Sequence, residues 1–180
     1  EDEEAAELRV YRAQGLRRET RREGPGGRPE GDMSCGVKSS LRMRPDRIIV
    51  GEVRGSGAAT LLTGMSTGHD GSFGSLHANT AQETVTRMIN PPMNVPPIML
   101  TGLDLIIIQA RLHVNGRTAR KITEVAEVAG MEGDKPRLNA IWKYDAARDE
   151  IVETGIPSQF RETICNAAGV TPEVFEQHVQ

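Results

Sequence analysis

A short apolar run that ends in a glycine and an acid constrains this chain more than any other feature. Pro45 disfavours helix at the residue before it. Residues 47–53 are rich in Ile and Val, which favours a strand covered on both faces of a parallel sheet. Gly51 interrupts the run directly before Glu52. Because open α/β sheets bind ligands at the carboxyl ends of their strands, Glu52 is predicted to face a ligand crevice. In a nucleotide-hydrolysing site an acid there holds a metal ion through water or orients the attacking water. The alternative is a solvated strand-end residue paired with Arg54.

A second segment, residues 67–80, combines glycines, two histidines and small polar residues. Its glycines permit backbone conformations closed to other residues, and residues 72–77 are predicted to form a strand that ends at His77. We expect His77 to lie close to Glu52, where a histidine can donate a hydrogen bond to a phosphate oxygen and sense its presence. For His69 the sequence favours an ordinary core histidine satisfied by a carbonyl.

Together the two segments resemble the type II/type IV secretion ATPase superfamily, which includes secretion, pilus-assembly, pilus-retraction and archaellum motors. Residues 47–55 are similar to the family's atypical Walker B, and residues 67–80 to its His box. The proline-rich residues 90–97 are most similar to archaeal members. The resemblance covers residues 41–153 and implies an α/β fold with a RecA-like P-loop NTPase core. It also implies ATP and Mg²⁺ as ligands and a hexameric homo-oligomer. The hexamer would lie in the cytoplasm, peripheral at the inner face of the cell membrane, on an integral-membrane platform protein.

The resemblance implies roles for three acidic or imidazole side chains. Glu52 would position magnesium-bound water, and His77 would sense the γ-phosphate. Residues 1–8 resemble the remnant of an acidic box, in which Glu7 would polarise the nucleophile. Alignment of the box on residues 1–2 would move that role elsewhere.

A basic cluster follows, and the resemblance assigns it to the nucleotide of a neighbouring subunit. Arg17 and Arg21 match the family's arginine pair, and a guanidinium suits phosphate because it stays charged and makes two-point contacts. The alternatives are a solvated basic cluster and a nucleic-acid contact. We expect no nucleic acid, because the cluster is short and has no aromatic residues for stacking.

The phosphate-binding loop of such motors, Walker A, is missing from this sequence, which contains no Gly-Lys dipeptide. Residues 31–39 imitate its glycine spacing but carry an extra residue before Lys38; in the family register they fall on a helix. The chain is therefore predicted to be a carboxyl-terminal part of a motor whose Walker A half lies upstream. The alternative is a nucleotide-incompetent remnant that acts as a structural or interaction module.

Composition argues against other classes. A net charge of −3 disfavours a general polyanion binder, and two cysteines without a C-x-x-C pair suggest no disulfide framework or thiolate zinc site. A metal-dependent hydrolase using His69, Asp70 and His77 is a further hypothesis, although the spacing fits no standard ligand set.

The sequence is predicted to contain two structural domains. Residues 1–130 form the carboxyl-terminal part of a RecA-like core, and residues 131–180 form a small strand-plus-helix subdomain. Helices are predicted at residues 58–65, 81–89, 158–168 and 172–179, with a short helix or turn at 98–102. Residues 90–97 are predicted to be extended. Strands are predicted at residues 105–112, 119–129, 138–144 and 150–153, the first of them buried.

Overall fold

The computed structural model describes residues 2–3, 15–16, 18–19, 33–114, 116–171 and 173–174. Within these ranges the chain forms a parallel sheet with helices beside it, followed by an antiparallel sheet and a further helix. The strands of the first sheet, in the spatial order β2-β1-β3-β4, are β1 (Asp2–Glu3), β2 (Arg18–Glu19), β3 (Ile49–Val50) and β4 (Phe73–Gly74). The predicted α/β class is confirmed.

Two helices cover the strand that leads to Glu52. They are α1 (Met33–Leu41) and α2 (Gly57–Met65), which pack against each other. Val37 of α1 and Leu62 of α2 are fully buried in the core, and the hydroxyls of Ser34 and Thr60 lie 3.3 Å apart between the helices. Residues 33–39, part of the imitation phosphate loop, thus belong to a core helix, as the family register predicts.

The predicted helix at residues 81–89 is confirmed as α3 (Ala81–Ile89). Thr80 is its N-cap, with Oγ1 accepting a hydrogen bond from the Glu83 backbone N–H at 3.0 Å. A distant carboxylate completes the cap, because Glu124 Oε2 accepts the Ala81 N–H at 2.8 Å. The first N–H groups of a helix have no partner inside the helix, so this bond satisfies one of them and ties α3 to the second sheet.

The prediction that residues 90–97 are extended is wrong in part. The Asn90 carbonyl accepts hydrogen bonds from the N–H groups of Met93 at 3.1 Å and Asn94 at 3.2 Å. The chain therefore turns before it reaches the 3-10 helix at Pro97–Gly102, whose Leu100 is fully buried. Asn94 adopts a φ of +47°, a left-handed conformation that asparagine tolerates better than most residues.

The second sheet contains four sequential antiparallel strands: β5 (Leu105–Val114), β6 (Arg117–Glu132), β7 (Lys135–Asp145) and β8 (Glu150–Glu153). The prediction of a buried first strand is wrong in part. In β5, Ile106 and Ile108 are buried but Leu105 and Ile107 are exposed. One face of an antiparallel sheet packs on the core while the other can remain in water, and the described residues leave much of that second face open.

The carboxyl-terminal segment is anchored to the open face through Glu127, which is fully buried. Glu127 accepts hydrogen bonds from the Ser158 hydroxyl and from the Gln159 N–H at 2.9 Å. The helix predicted at 158–168 begins later, as α4 (Arg161–Ala168). Ser158 precedes it in a turn, since its hydroxyl also accepts the Phe160 N–H at 3.2 Å. The helix predicted at 172–179 lies almost entirely outside the described residues.

The predicted boundary between the two regions, after residue 130, falls inside β6. The division of the chain into two domains stays a prediction. None of the helices in the described ranges is long and apolar enough to span a bilayer.

Candidate functional site

The register between β3 and β4 brings the two segments singled out by the sequence together. Phe73 N–H donates to the Ile48 carbonyl at 3.0 Å and Ser75 N–H to the Val50 carbonyl at 3.2 Å. Val53 N–H donates to the Ser75 carbonyl at 2.7 Å, so the pairing continues beyond the regular strands. Parallel strands end at the same edge of a sheet, and their two extensions therefore run side by side at that edge.

Glu52 and His77 meet at this edge. Glu52 Oε1 lies 3.3 Å from His77 Nε2, which confirms the predicted proximity of the two side chains. Glu52 Oε2 accepts a hydrogen bond from Arg54 Nη2 at 2.7 Å, so the pairing considered as an alternative is present as well. The carboxylate lies between a guanidinium and an imidazole.

Exposure differs strongly between the two side chains. Glu52 retains 28% of its side-chain exposure, whereas His77 retains 86%. The imidazole is thus open to a ligand that approaches the sheet edge, and the carboxylate is more enclosed. The hydrogen bond from Arg54 is the main cause that lowers the pKa of Glu52, partial burial opposes it, and the charges of Arg54 and His77 add to the lowering. Glu52 is accordingly ionised at neutral pH.

Ser75, which the sequence analysis did not single out, fixes the approach of the two segments. Besides its two backbone bonds, its hydroxyl donates to the Gly51 carbonyl. Ser72 acts similarly at the other end of the pairing, where its hydroxyl accepts the Ile48 N–H at 2.9 Å and donates to the His69 carbonyl at 2.7 Å. Two serines in a run of small polar residues are the only sequence signal for this role.

Gly74 is required by close packing under the site. A Cβ at this position would lie 2.7 Å from Val53 Cγ2 and 2.8 Å from Leu61 Cδ2, closer than carbon atoms pack. The glycine therefore lets β4 approach β3 and α2 closely enough to bring His77 to Glu52.

The other candidates of the His box have different surroundings. His69 Nδ1 lies 3.1 Å from the Gly64 carbonyl, the carbonyl-satisfied arrangement that the sequence favours. The Asp70 carbonyl accepts a hydrogen bond from Arg47 Nε at 3.4 Å. Across the described residues, no group of three or more His, Cys, Asp or Glu side chains could hold a metal ion.

Three predicted site residues, Glu7, Arg17 and Arg21, lie outside the described residues. Their roles stay predictions.

The residues present fit one part of a Mg²⁺–nucleotide site. Mg²⁺ in such sites keeps several waters and is bound through one or two carboxylates and the substrate phosphates. Glu52 offers one ionised carboxylate for contact through water, and His77 offers an exposed ring nitrogen to a phosphate. A loop that cradles phosphates with a Gly-Lys pair is absent from the sequence.

An acid and a histidine at the carboxyl edge of a parallel sheet lie where open α/β proteins bind ligands, which makes them a candidate site. Comparison with known proteins identifies the family. The profile of the type II/IV secretion system protein family matches residues 3–167, and this chain belongs to that family.

Several relatives share parts of the chain. Protein MJ1287 of Methanocaldococcus jannaschii is 34% identical over 146 residues, which cover 81% of this chain and 53% of MJ1287. The conjugal transfer protein TrbB of Rhizobium radiobacter is 51% identical over 104 residues, covering 55% of this chain and 31% of TrbB. The type IV pilus assembly ATPase PilB of Pseudomonas aeruginosa is 40% identical over 93 residues, covering 51% of this chain and 15% of PilB.

Among solved structures, the VirB11 ATPase from the Brucella suis type IV secretion system is 28% identical with a TM-score of 0.44, covering 52% of this chain and 31% of VirB11. The chain spans 14% of the length of MJ0781 from M. jannaschii and 53% of MJ1287. It therefore corresponds to a part of these relatives.

Proposed function

We propose that this chain is the part of a secretion, pilus, archaellum or conjugation motor ATPase that carries the acid and the histidine of the nucleotide site. The observation that carries the proposal is the 3.3 Å contact between Glu52 and His77 at the carboxyl edge of a parallel sheet, in a chain that belongs to the type II/IV secretion system family. The motor would be a RecA-like hexamer at the cytoplasmic face of a membrane, held by an integral-membrane platform protein.

Each side chain has a separate task in this proposal. Glu52, kept ionised by Arg54, accepts hydrogen bonds from water and so holds the water shell of a magnesium ion in place. His77 donates a hydrogen bond from its exposed ring to a γ-phosphate oxygen. A bound Mg²⁺ would supply positive charge that stabilises the phosphates during transfer to water. Loss of the γ-phosphate removes the acceptor for His77, which gives the site two states.

The residues outside the described ranges complete the proposal. Glu7 polarises the attacking water, and Arg17 and Arg21 reach the nucleotide of a neighbouring subunit. The phosphate cradle is contributed by a Walker A segment other than residues 31–39, because residues 33–39 belong to a helix whose Met33, Ser34 and Val37 are buried.

A specific observation favours a second candidate. Arg54 already occupies one oxygen of Glu52 at 2.7 Å, and the sequence has no Gly-Lys dipeptide. A module that binds partners without hydrolysing nucleotide would retain such an internally paired acid.

ATP turnover by the natural gene product that contains this chain separates the two candidates. We expect Glu52→Gln to lower turnover by about ten- to a hundredfold, as loss of an outer-shell partner of a metal ion does, while a fluorescent ATP analogue still binds. His77→Ala should lower turnover and narrow the difference in affinity between ATP and ADP. Glu153→Gln, a strand-end carboxylate of the second sheet, is the matched control and should leave turnover unchanged.

The outcomes of these experiments distinguish the motor ATPase from the interaction module. Turnover that is unaffected by both site variants would refute the assignment of the nucleotide site to this edge. If the natural gene product neither hydrolyses ATP nor binds nucleotide, the result would favour the interaction module. Tight binding of the ATP analogue by the 180-residue chain alone would contradict the proposed need for a separate phosphate cradle.

A further inference from the structure

The hairpin formed by β5 and β6 carries a concentration of positive charge in a chain whose net charge is −3. Between Asp104 and Glu124 the sequence contains three arginines and one lysine but no Asp or Glu. The lysine, Lys121, is neutralised by Asp149 of the neighbouring hairpin. The arginines have no such partner on their own hairpin.

Two of these arginines lie directly opposite each other. Arg111 and Arg120 form a cross-strand pair, an arrangement in which like charges repel. Among the described residues neither forms an ion pair with a carboxylate. With Thr118 and Ala119 they line a shallow cleft of about 410 Å³. A fold that keeps an uncompensated pair of like charges beside a cleft presents a site for an anion.

Exposed apolar side chains continue the same face. Register pairs Gln109 with Ile122 and Ile107 with Val125, and alternate residues of a strand point to one face. Ile107 is 57% exposed and Ile122 is 45% exposed. The surface therefore combines a basic end, formed by Arg111 and Arg120, with an apolar end.

We propose that this surface, defined by Ile107, Arg111, Thr118, Arg120 and Ile122 and called here the basic face, docks an acidic segment of a partner protein. A carboxylate of the segment bonds to the arginine pair, since guanidinium groups match carboxylates in two-point contacts. An apolar side chain of the same segment packs on the isoleucines. The docking does not depend on nucleotide hydrolysis.

The spacing of the face limits the segment. At about 3.3 Å per residue, the rung of Ile122 lies about 7 Å from the arginine rung and that of Ile107 about 13 Å. An extended segment reaches across these distances with both side chains on the same side when its acidic and apolar residues are two or four positions apart, because alternate residues of an extended chain share a face. Segments in which Leu or Ile follows Glu or Asp by two positions, with a small polar residue between them, meet this requirement.

Two other anionic partners fit the face less well. Membrane-binding elements insert large apolar side chains into the lipid, but the tip of this hairpin carries Gly116 and Arg117, and the isoleucines lie further back along the strands. Single-stranded nucleic acids are bound by aromatic stacking, and residues 105–123 contain no Phe, Tyr or Trp.

The test uses the 180-residue chain and a fluorescein-labelled peptide that repeats Glu-Ser-Leu-Ser, so that each leucine follows a glutamate by two positions and shares its face. The wild type should bind it saturably, and added salt should weaken the binding because exposed charges are screened. We expect the double variant Arg111→Gln/Arg120→Gln to bind at least about tenfold more weakly, since a charged hydrogen-bond partner is lost at each position. Ile122→Ser should also weaken binding. Arg148→Gln, which removes an exposed arginine from another hairpin, should leave it unchanged.

Two controls test whether binding of the peptide depends on its charge and on the arginine pair. A peptide with lysine in place of glutamate should not bind, and the single variant Arg120→Gln provides the same comparison if the double variant does not fold. Equal affinity of the wild type and the double variant, or no binding by the wild type, overturns the proposal. It is also overturned if the basic face instead binds phosphatidylglycerol-containing vesicles or a single-stranded oligonucleotide, or if light scattering shows that it holds a second copy of this chain.

Discussion

Substitution of Gly74 by alanine tests the link between packing and the candidate site. The added Cβ would lie 2.7 Å from Val53 Cγ2 and 2.8 Å from Leu61 Cδ2. Carbon atoms pack best at about 3.5–4.0 Å, so β4 has to move by about 1 Å. Val53 cannot easily turn away, because a β-branched side chain has few allowed rotamers.

The loss of stability caused by this displacement can be estimated. Overpacking of this kind costs about 1–3 kcal/mol, and the bonds that Ser75 makes to β3 and Val53 weaken with it. For a chain of this size each kcal/mol lowers the melting temperature by about 2–4 °C. Gly74→Ala should therefore lower it by roughly 2–12 °C.

Thermal and urea unfolding measure the effect in a double-mutant cycle with Val53→Ala. Removal of Cγ2 relieves the closer of the two contacts, so the double variant should be more stable than the sum of the single changes by about 0.5 kcal/mol or more. Gly64→Ala is the control, because its Cβ would meet the flexible end of Leu41 at 3.1 Å and alanine favours helix. Additive effects in the cycle, or a larger loss for Gly64→Ala than for Gly74→Ala, would refute the packing argument.

Three further perturbations test contacts elsewhere in the chain. Glu127→Ala removes the buried acceptor of the Ser158 hydroxyl and the Gln159 N–H and should lower the free energy of unfolding by about 1–3 kcal/mol, since hydrogen bonds to a charged group are lost. Faster proteolysis after residue 153 is a second readout. Glu124→Ala removes the carboxylate that accepts the Ala81 N–H and should lower it by about 1–2 kcal/mol; hydrogen exchange should then accelerate at the start of α3. The hydrogen bond from Lys121 is the largest cause that lowers the pKa of Asp149 in the folded chain below its ordinary value of 3.8. The ionised carboxylate therefore stabilises the fold fully above the pKa that Asp149 has in the unfolded chain. This stabilisation is lost as the pH falls through the lower pKa that Asp149 has in the folded chain. Asp149→Asn should accordingly reduce the steepness of acid unfolding in that range, and an unchanged acid limb would contradict it.

The parts of the site that sequence reasoning predicted depend on local chemistry. Thr80 and Glu83 lie three residues apart, so the start of α3 could be placed from the capping pattern alone. The meeting of Glu52 and His77 followed from a general property of parallel strands, whose ends converge at one edge of a sheet.

The features that sequence reasoning missed depend on distant contacts or hidden periodicity. Glu124 caps a helix that begins 43 residues earlier, and no local pattern marks such a partner. The continuous apolar run of residues 105–108 reads as a buried strand, since alternation between two faces is invisible when every residue is apolar. Asn90 gives no signal that its carbonyl closes a turn within the prolines that follow.

The bond between Glu124 and Ala81 has a mechanical consequence. His77 is separated from the first residue of α3 by only three residues, and that helix is attached at the same end to the middle of β6. A displacement of the imidazole segment must therefore either stretch this attachment or carry β6 with it. Because β6 is also one strand of the hairpin with the opposed arginines, motion at His77 has a short covalent and hydrogen-bonded route to a surface on the second sheet.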